Sequence, residues 1–370
     1  MSKQPLITLL GTGLDGGIGR NLLNLTNGFL RRGCRVDLIL NDDSGPYVPQ
    51  LHSEVRLLAM PTSHAIMGVP WLAYYLQKNR PSALLTPNVR LTLLGYRASR
   101  LAFSKPRVFA NVHNTYSIKF QDLAPAKRAK RLKLIQRIYP RCDGIICVSA
   151  GVADDFSAYT GITQDRLSVI YNPVDLDQVS VLSKDSVEHP WFNDGQPPVI
   201  VSVGRLSKEK NLGLLIQAFE RVRGQLPARL VIVGEGSYSS AYREMAADSR
   251  HAADIDFVGH QVNPWKYIAR AAVFVLSSNV EGFGNVLIEA LAVGTPVVST
   301  DCPSGPREIL DNGHYGELVP MDDPPKMAAA IRDSLHHPRS CRMLRNSVRR
   351  FGLDRVIERY LQTFGLSERL

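Results

Sequence analysis

Residues 199–224, VIVSVGRLSKEKNLGLLIQAFERVRG, decide the fold class. An apolar run rich in β-branched residues, 199–203, is followed by a polar loop carrying Arg205 and Lys210 and then by a helical period over 211–224. A strand with almost no polar residue belongs inside a parallel sheet covered on both faces, and the helix behind it is the crossover that such a sheet needs. The same alternation continues in both directions. Downstream, strands are expected at 229–233, 255–258, 273–276 and 296–300, with helices at 238–247, 264–271 and 285–293 and a helical tail from 324 to about 368. Upstream, strands are expected at 6–10, 35–40, 83–86, 107–112, 144–148 and 168–171. Between the two sets, the stretch after Asn172 is polar and irregular and ends in NDGQPP at 193–198, which reads as a linker. A chain of 370 residues suits two cores. The expected class is therefore α/β, with two doubly wound domains, 1–175 and 176–350, facing across a cleft into which the carboxyl ends of the strands open.

Composition narrows the function. With 44% hydrophobic and 21% charged residues the chain is expected to be folded throughout. Five scattered cysteines, an odd number, with no secretory leader pattern, read as reduced thiols in a cytoplasmic protein. Cys142 and Cys147 could suggest a metal pair, but no second pair follows and Cys147 falls in a strand pattern, so buried structural thiols are expected. No apolar run approaches the roughly 20 residues of a membrane span. Charge is unevenly placed: residues 1–175 hold 22 Lys+Arg against 11 Asp+Glu, a net +11 out of the chain's +10, so the remainder nets −1. An anionic partner for the first half follows.

Three groups of residues carry candidate chemistry. The first is the turn after strand 6–10, where Gly11, Gly13 and Gly16 satisfy GxGxxG and Asp37 stands 21 residues further on. A nicotinamide-dependent dehydrogenase is the reading this spacing invites. Against it, Asp37 sits in the middle of its strand pattern, not at the end where a ribose would be met. The other reading needs only Gly16 and Gly17, whose backbone amides at a helix start can approach a phosphate. The second group is Arg205 and Lys210, two cations at a strand end able to converge on one diphosphate. The third is EGFGNVLIE, 281–289, which sets Glu281 in a glycine-rich loop and Glu289 eight residues on, read as two turns into a helix and about 12 Å along its axis. The amides of Gly284, Asn285 and Val286 form the helix start between them.

The stretch 199–319 resembles the donor domain of the retaining glycosyltransferases of family 4, built on the GT-B fold: GRLSKEKN, FVGH, VLSSNVEGFGNVLIEALAVGTPVVSTDCPSGPREIL and GELVP match in order, and Glu281 with Glu289 match the family's paired glutamates. The resemblance implies a transferase with Arg205 and Lys210 on the donor phosphates and Glu289 on the ribose. Glu281 would stand at the transferred sugar and Val258 would hold the base through its backbone. Phe283, Gly284, Asn285 and Val286 would line the donor, with Gly16 and Gly17 near the diphosphate from the other domain and His113 beside the sugar. It also implies a C-terminal helix, 351–370, returning to the N-terminal domain, and no metal or other cofactor besides the nucleotide-sugar co-substrate. The expected reaction moves a hexose or N-acetylhexosamine from a UDP-sugar to a polyprenyl-diphosphate-linked glycan acceptor in bacterial surface glycan assembly.

The acceptor side rests on the basic segment 119–141, where Leu132, Ile135, Ile138 and Tyr139 share a helical face and Lys127, Arg128, Lys130, Arg131, Lys133 and Arg137 cover much of the rest. Such a helix can lie on an anionic inner leaflet, which would make the protein peripheral on the inner face of the plasma membrane. The plain alternative is an amphipathic helix packed on the sheet with a solvated basic face. A third function class, a non-enzymatic nucleic-acid-binding protein, fits the charge but lacks aromatic residues among the cations and gives the second domain no task, so no nucleic-acid partner is expected.

Overall fold

The computed structural model describes residues 4–62 and 67–367. It divides into two compact units, Met1–Val174 with Phe351–Leu370, and Asp175–Arg350.

The first unit is a seven-stranded parallel sheet. Its strands are β1 (Leu6–Gly11), β2 (Arg35–Leu40), β3 (Arg56–Ala59), β4 (Ala83–Thr86), β5 (Arg107–Val112), β6 (Gly144–Cys147) and β7 (Leu167–Val169), in the order β3-β2-β1-β4-β5-β6-β7. All six residues of β1 are buried, as continuous apolar strands under two helical layers must be. The second unit repeats the plan with β8 (Val199–Val203), β9 (Arg229–Val233), β10 (Ile255–Gly259), β11 (Val273–Leu276), β12 (Val297–Thr300) and β13 (Glu317–Val319), ordered β10-β9-β8-β11-β12-β13. Strand order reverses between β1 and β4 and between β8 and β11, and the loops leaving those strands at their carboxyl ends frame the crevice of each unit. The two sheets are the doubly wound, Rossmann-like pair of the expected α/β class.

The helix returning to the first unit is its structural keystone. Leu353–Thr363 buries Leu353, Val356, Ile357, Tyr360 and Leu361, the stripe of a helix packed on one side. It lies against the helix Gly16–Arg31 so closely that a Cβ on Gly28 would come within 2.4 Å of Ile357 Cγ1. Phe364 then packs on Phe109 of β5, the ring centroids 4.5 Å apart and the planes tilted by 45°, and Asn111 Nδ2 donates to the hydroxyl of Tyr360 at 3.0 Å.

Three sequence expectations are corrected. The edge strands β3 and β13 escaped notice because each is three or four residues long and only partly buried, so neither carries a continuous apolar run. The linker is folded: Asp175 caps a helix, Leu176–Leu182, through Gln178 N, and Asn263 Nδ2 donates at 2.8 Å both to Leu182 O and to Asp185, tying the stretch to the second unit. The helical tail is three helices, Pro324–His336, Cys341–Ser347 and Leu353–Thr363, interrupted where Pro338 lacks an amide proton and where Gly352 starts a new helix. Its expected end near residue 368 lies outside the described residues.

Replacing Tyr360 by Phe should lower the stability of the first unit by about 1–3 kcal/mol, because the amide of Asn111, itself 1% exposed, loses the hydroxyl it donates to. A urea titration reads this as a lower midpoint at unchanged slope; an unchanged midpoint would show that the hydroxyl contributes nothing.

Candidate functional site

In the second unit the site is built on the loops that follow β8 and β11. Leaving β8, Gly204 N donates to Val233 O at 3.0 Å and Leu206 N to Glu235 O at 3.0 Å, so the loop lies back to back with the one after β9. The contact tolerates no side chain: a Cβ on Gly234, whose φ is +139°, would stand 1.9 Å from Gly204 O. Arg205 is exposed on this loop and lines a pocket together with Lys210, Ser277 and Ser278. A 3-10 turn, Lys208–Lys210, leads to Asn211, which takes a left-handed conformation (φ 43°) and caps the helix Leu212–Arg223.

The second loop is stitched to the first. Asn279 N donates to Glu209 O at 2.8 Å, Ser277 Oγ to Lys210 O at 2.8 Å, and Asn211 Nδ2 to Asn279 Oδ1 at 2.9 Å and Asp322 Oδ1 at 3.0 Å. The stitch brings Lys210 Nζ to 2.5 Å from Glu281 Oε1, which also accepts from Ser278 Oγ at 2.7 Å. The side chains of Lys210 and Glu281 are 24% and 12% exposed, so this ion pair is largely withdrawn from solvent, where charge interactions are least screened.

Behind Glu281 the chain turns through Gly284 (φ 96°) into the helix Asn285–Val293. Because 282–284 is loop, Glu289 is the fifth helical residue, about 6 Å along the axis from Asn285; the expected two turns shrink to one. Glu289 is half-buried between Ile288 and Ala290, which are both fully buried. Phe283, expected among the donor residues, is 2% exposed, so its ring is core and only its backbone borders the site. Gly305 (φ 84°) presses on that backbone, since a Cβ there would meet Phe283 O at 1.8 Å. Val258 sits at an irregularity in β10, between Phe257 and Gly259, where the register against β9 shifts. Its carbonyl accepts from Gln261 Nε2 at 3.0 Å.

In the first unit, Gly16 (φ 56°) and Gly17 open the helix Gly16–Arg31 just after β1, and a Cβ on Gly17 would meet nothing within 4 Å. Asp37 is accounted for by structure. It lies mid-strand in β2, 2% exposed, accepts from Arg56 Nε at 2.9 Å and from the hydroxyl of Tyr75, and so offers no carboxylate to a ribose. The dehydrogenase reading loses its acid. His113 follows β5 and is 7% exposed; its Nε2 has no hydrogen-bond partner among the described residues. Burial, with the charge of Lys119 adding to it, pushes its pKa down to about 3, so the imidazole is neutral at physiological pH.

The basic segment forms the helix Pro125–Ile138, with Ile135, Ile138 and Tyr139 buried and Leu132 half-buried. Lys127, Arg128, Lys130, Arg131, Lys133 and Arg137 are all exposed. Cys142 and Cys147 are buried, and burial pushes both thiols up to about 12, as expected of structural cysteines. Among the described residues no helix is long and apolar enough to cross a membrane. The residues that sequence reasoning missed are Asn211, Ser277, Ser278 and Asn279. The signal for the last three, a run of short polar side chains directly after the apolar strand β11, was present but unspecific without the partner loop, and Asn211 reads in sequence only as a helix cap.

Residues 184–351 match the family described as Glycosyl transferases group 1, and residues 15–178 the family described as Glycosyltransferase Family 4. The chain is 30% identical over 321 residues, 85% of its length and 86% of the relative's, to the N-acetylgalactosamine-N,N'-diacetylbacillosaminyl-diphospho-undecaprenol 4-alpha-N-acetylgalactosaminyltransferase of Campylobacter jejuni. It is 33% identical over 183 residues, 47% of each chain, to the lipopolysaccharide 1,6-galactosyltransferase of Salmonella typhimurium. Among solved structures, a lipopolysaccharide outer core galactosyltransferase in apo form superposes with a TM-score of 0.73 at 20% identity, covering 99% of this chain and 100% of the other. Anabaena HepE in complex with UDP superposes with 0.79 at 18% identity, covering 98% and 100%. At such identities the superpositions establish the fold, and the sequence relatives establish the family. With its two parallel-sheet units and its paired family domains, this chain belongs to the GT-B glycosyltransferases, group 1 in its second half and family 4 in its first.

Proposed function

We propose that this glycosyltransferase moves a hexose or N-acetylhexosamine from a UDP-sugar to a polyprenyl-diphosphate-linked glycan, with retention of anomeric configuration, in bacterial surface glycan assembly. The observation that carries the reading is the meeting of Lys210, Glu281 and Arg205 at the switch point of the second unit. When the bond between the anomeric carbon and the diphosphate breaks, positive charge grows on the sugar and negative charge on the leaving group. Arg205, Lys210 and the helix-start amides of Gly284, Asn285 and Val286 stabilise the leaving charge, and Glu281 faces the sugar. Arg205 and Lys210, which line one pocket at the end of β8, support a reading in which this task falls to protein charges and not to a metal ion. Glu289 accepts from the ribose, and the backbone at Val258 holds the base. Gly16, Gly17 and neutral His113 belong to the same proposal, His113 as a hydrogen-bonding partner to the sugar and not as a cation.

Support for UDP comes from HepE, which was solved with UDP and with UDP-glucose. Support for the acceptor comes from the Campylobacter relative, whose name specifies a diphospho-undecaprenol substrate. The exposed cations of Pro125–Ile138 support a peripheral position on the anionic inner face of the plasma membrane, each worth about 1 kcal/mol near the surface.

Lys210→Ala and Glu281→Ala should each cut UDP release from the UDP-sugar by about 100-fold or more while far-UV circular dichroism stays unchanged. Full activity in either variant would refute the site. Exchanging Lys127, Arg128, Lys130 and Arg131 for Glu should sharply reduce cosedimentation at low salt with vesicles rich in phosphatidylglycerol, and undiminished binding would leave those cations as a solvated face. The folded pKa of His113, about 3, lies below its ordinary 6.5. The unfolded chain therefore takes up a proton that the folded one refuses, and His113 subtracts stability progressively as pH falls from 6.5 toward 3. His113→Gln should flatten that part of the curve of urea midpoint against pH.

A further inference from the structure

Residues 55–121 contain nine Lys and Arg and no Asp or Glu. Within the first unit this stretch includes the helices Gly68–Asn79 and Val89–Leu101, and the second of these also packs against the basic helix Pro125–Ile138, so the three form one layer over the sheet. The layer carries large apolar side chains in the open: Tyr74 is 65% exposed, Leu101 62% and Phe103 90%.

The exposure of Phe103 is imposed by its neighbours. Ala102 before it is buried, and Ser104 after it is pinned to the end of Gly68–Asn79, its amide donating to Gln77 Oε1 at 3.0 Å and its hydroxyl to Leu76 O at 3.0 Å. Lys105 closes the turn with a left-handed backbone (φ 44°), its N–H donating to Ala102 O at 3.2 Å. A non-glycine residue held at positive φ is strained, so the surrounding contacts must enforce this shape. The ring between these anchors has no route inward. Lys78, whose ammonium lies 5.9 Å from the Tyr74 ring, and the exposed Arg97, Arg100 and Lys105 surround the apolar tips with positive charge.

We propose that Phe103, Leu101 and Tyr74 insert into the boundary between headgroups and acyl chains of an anionic bilayer, making this helical layer the membrane-facing surface of the first unit. The inference rests on the membrane reading above and adds to its electrostatic contact an apolar one that salt does not screen. Apolar and aromatic tips ringed by cations match the chemistry of an anionic lipid interface, with the rings at headgroup depth and the cations on the phosphates. A second copy of the chain docking through the same patch would set cations against cations, with no acidic residue in the stretch to relieve them.

The test is cosedimentation of the full chain with vesicles of phosphatidylglycerol and phosphatidylcholine at low and high salt. The wild type should keep a salt-resistant fraction bound. The double variant Leu101→Ser, Phe103→Ser should lose it, with partitioning at high salt falling roughly tenfold, while UDP binding is unchanged. Phe103→Trp should add a blue-shifted emission on vesicles that an RNA oligonucleotide does not produce. Equal partitioning of the double variant and the wild type would overturn the insertion and leave the charge-driven contact of Pro125–Ile138 standing. A wild type that binds no vesicle under either condition would overturn both. A blue shift on RNA without one on vesicles would assign the surface to nucleic acid.

Discussion

The hydrogen bonds that sew the loop after β8 to the loop after β11 are the constraint on which the candidate site depends. Lys210 and Glu281 are 71 residues apart and meet because Asn279 N holds Glu209 O and Ser277 Oγ holds Lys210 O. Both loops leave the sheet where strand order reverses, the one place in such a sheet where consecutive crossovers diverge and leave a crevice. The pairing of lysine with glutamate has a chemical consequence. Each charge is held in place by the other, and Glu281 also by Ser278, so little reorganisation is needed when a charged ligand arrives.

Glycines make this geometry possible at two points where backbone meets backbone. Gly234 lets the loop after β9 lie on Gly204, and Gly305 lets the loop after β12 lie on Phe283. In both, a side chain would collide with a carbonyl oxygen at under 2 Å, a clash that only movement of the site loops could relieve. The first unit solves a different problem: its sheet is completed by a helix from the far end of the chain, and the rings of Phe29, Phe109, Tyr360 and Phe364 cluster where the two meet.

Charge divides the labour between the units. The second is close to neutral and concentrates a few cations in one crevice, whereas the first spreads its excess over an outer helical layer together with exposed aromatic and aliphatic tips. Buried His113, neutral and with no hydrogen-bond partner for its Nε2 among the described residues, is one of several such polar groups inside the first unit, Asn21 and Asn111 among them. An unsatisfied buried polar atom costs free energy that packing around it must offset.

By itself the sequence determined the α/β class, the two parallel sheets and ten of their strands to within about one residue, because a strand buried on both faces must be continuously apolar and the helix beside it must follow the 3.6 period. It also determined the family and the positions of Arg205, Lys210, Glu281 and Glu289, since their spacing around glycine-rich turns is local. Only the tertiary structure decided what those residues touch. That Asp37 is spent on Arg56 and Tyr75, that Glu289 lies one helical turn and not two from the helix start, and that Asn211 and Asn279 bind the site loops together depend on contacts between strands far apart in the chain. The short edge strands β3 and β13 and the folded linker were illegible for the same reason. Their stability comes from the neighbour they pair with or dock on, and a partner distant in sequence leaves no periodicity in the segment itself.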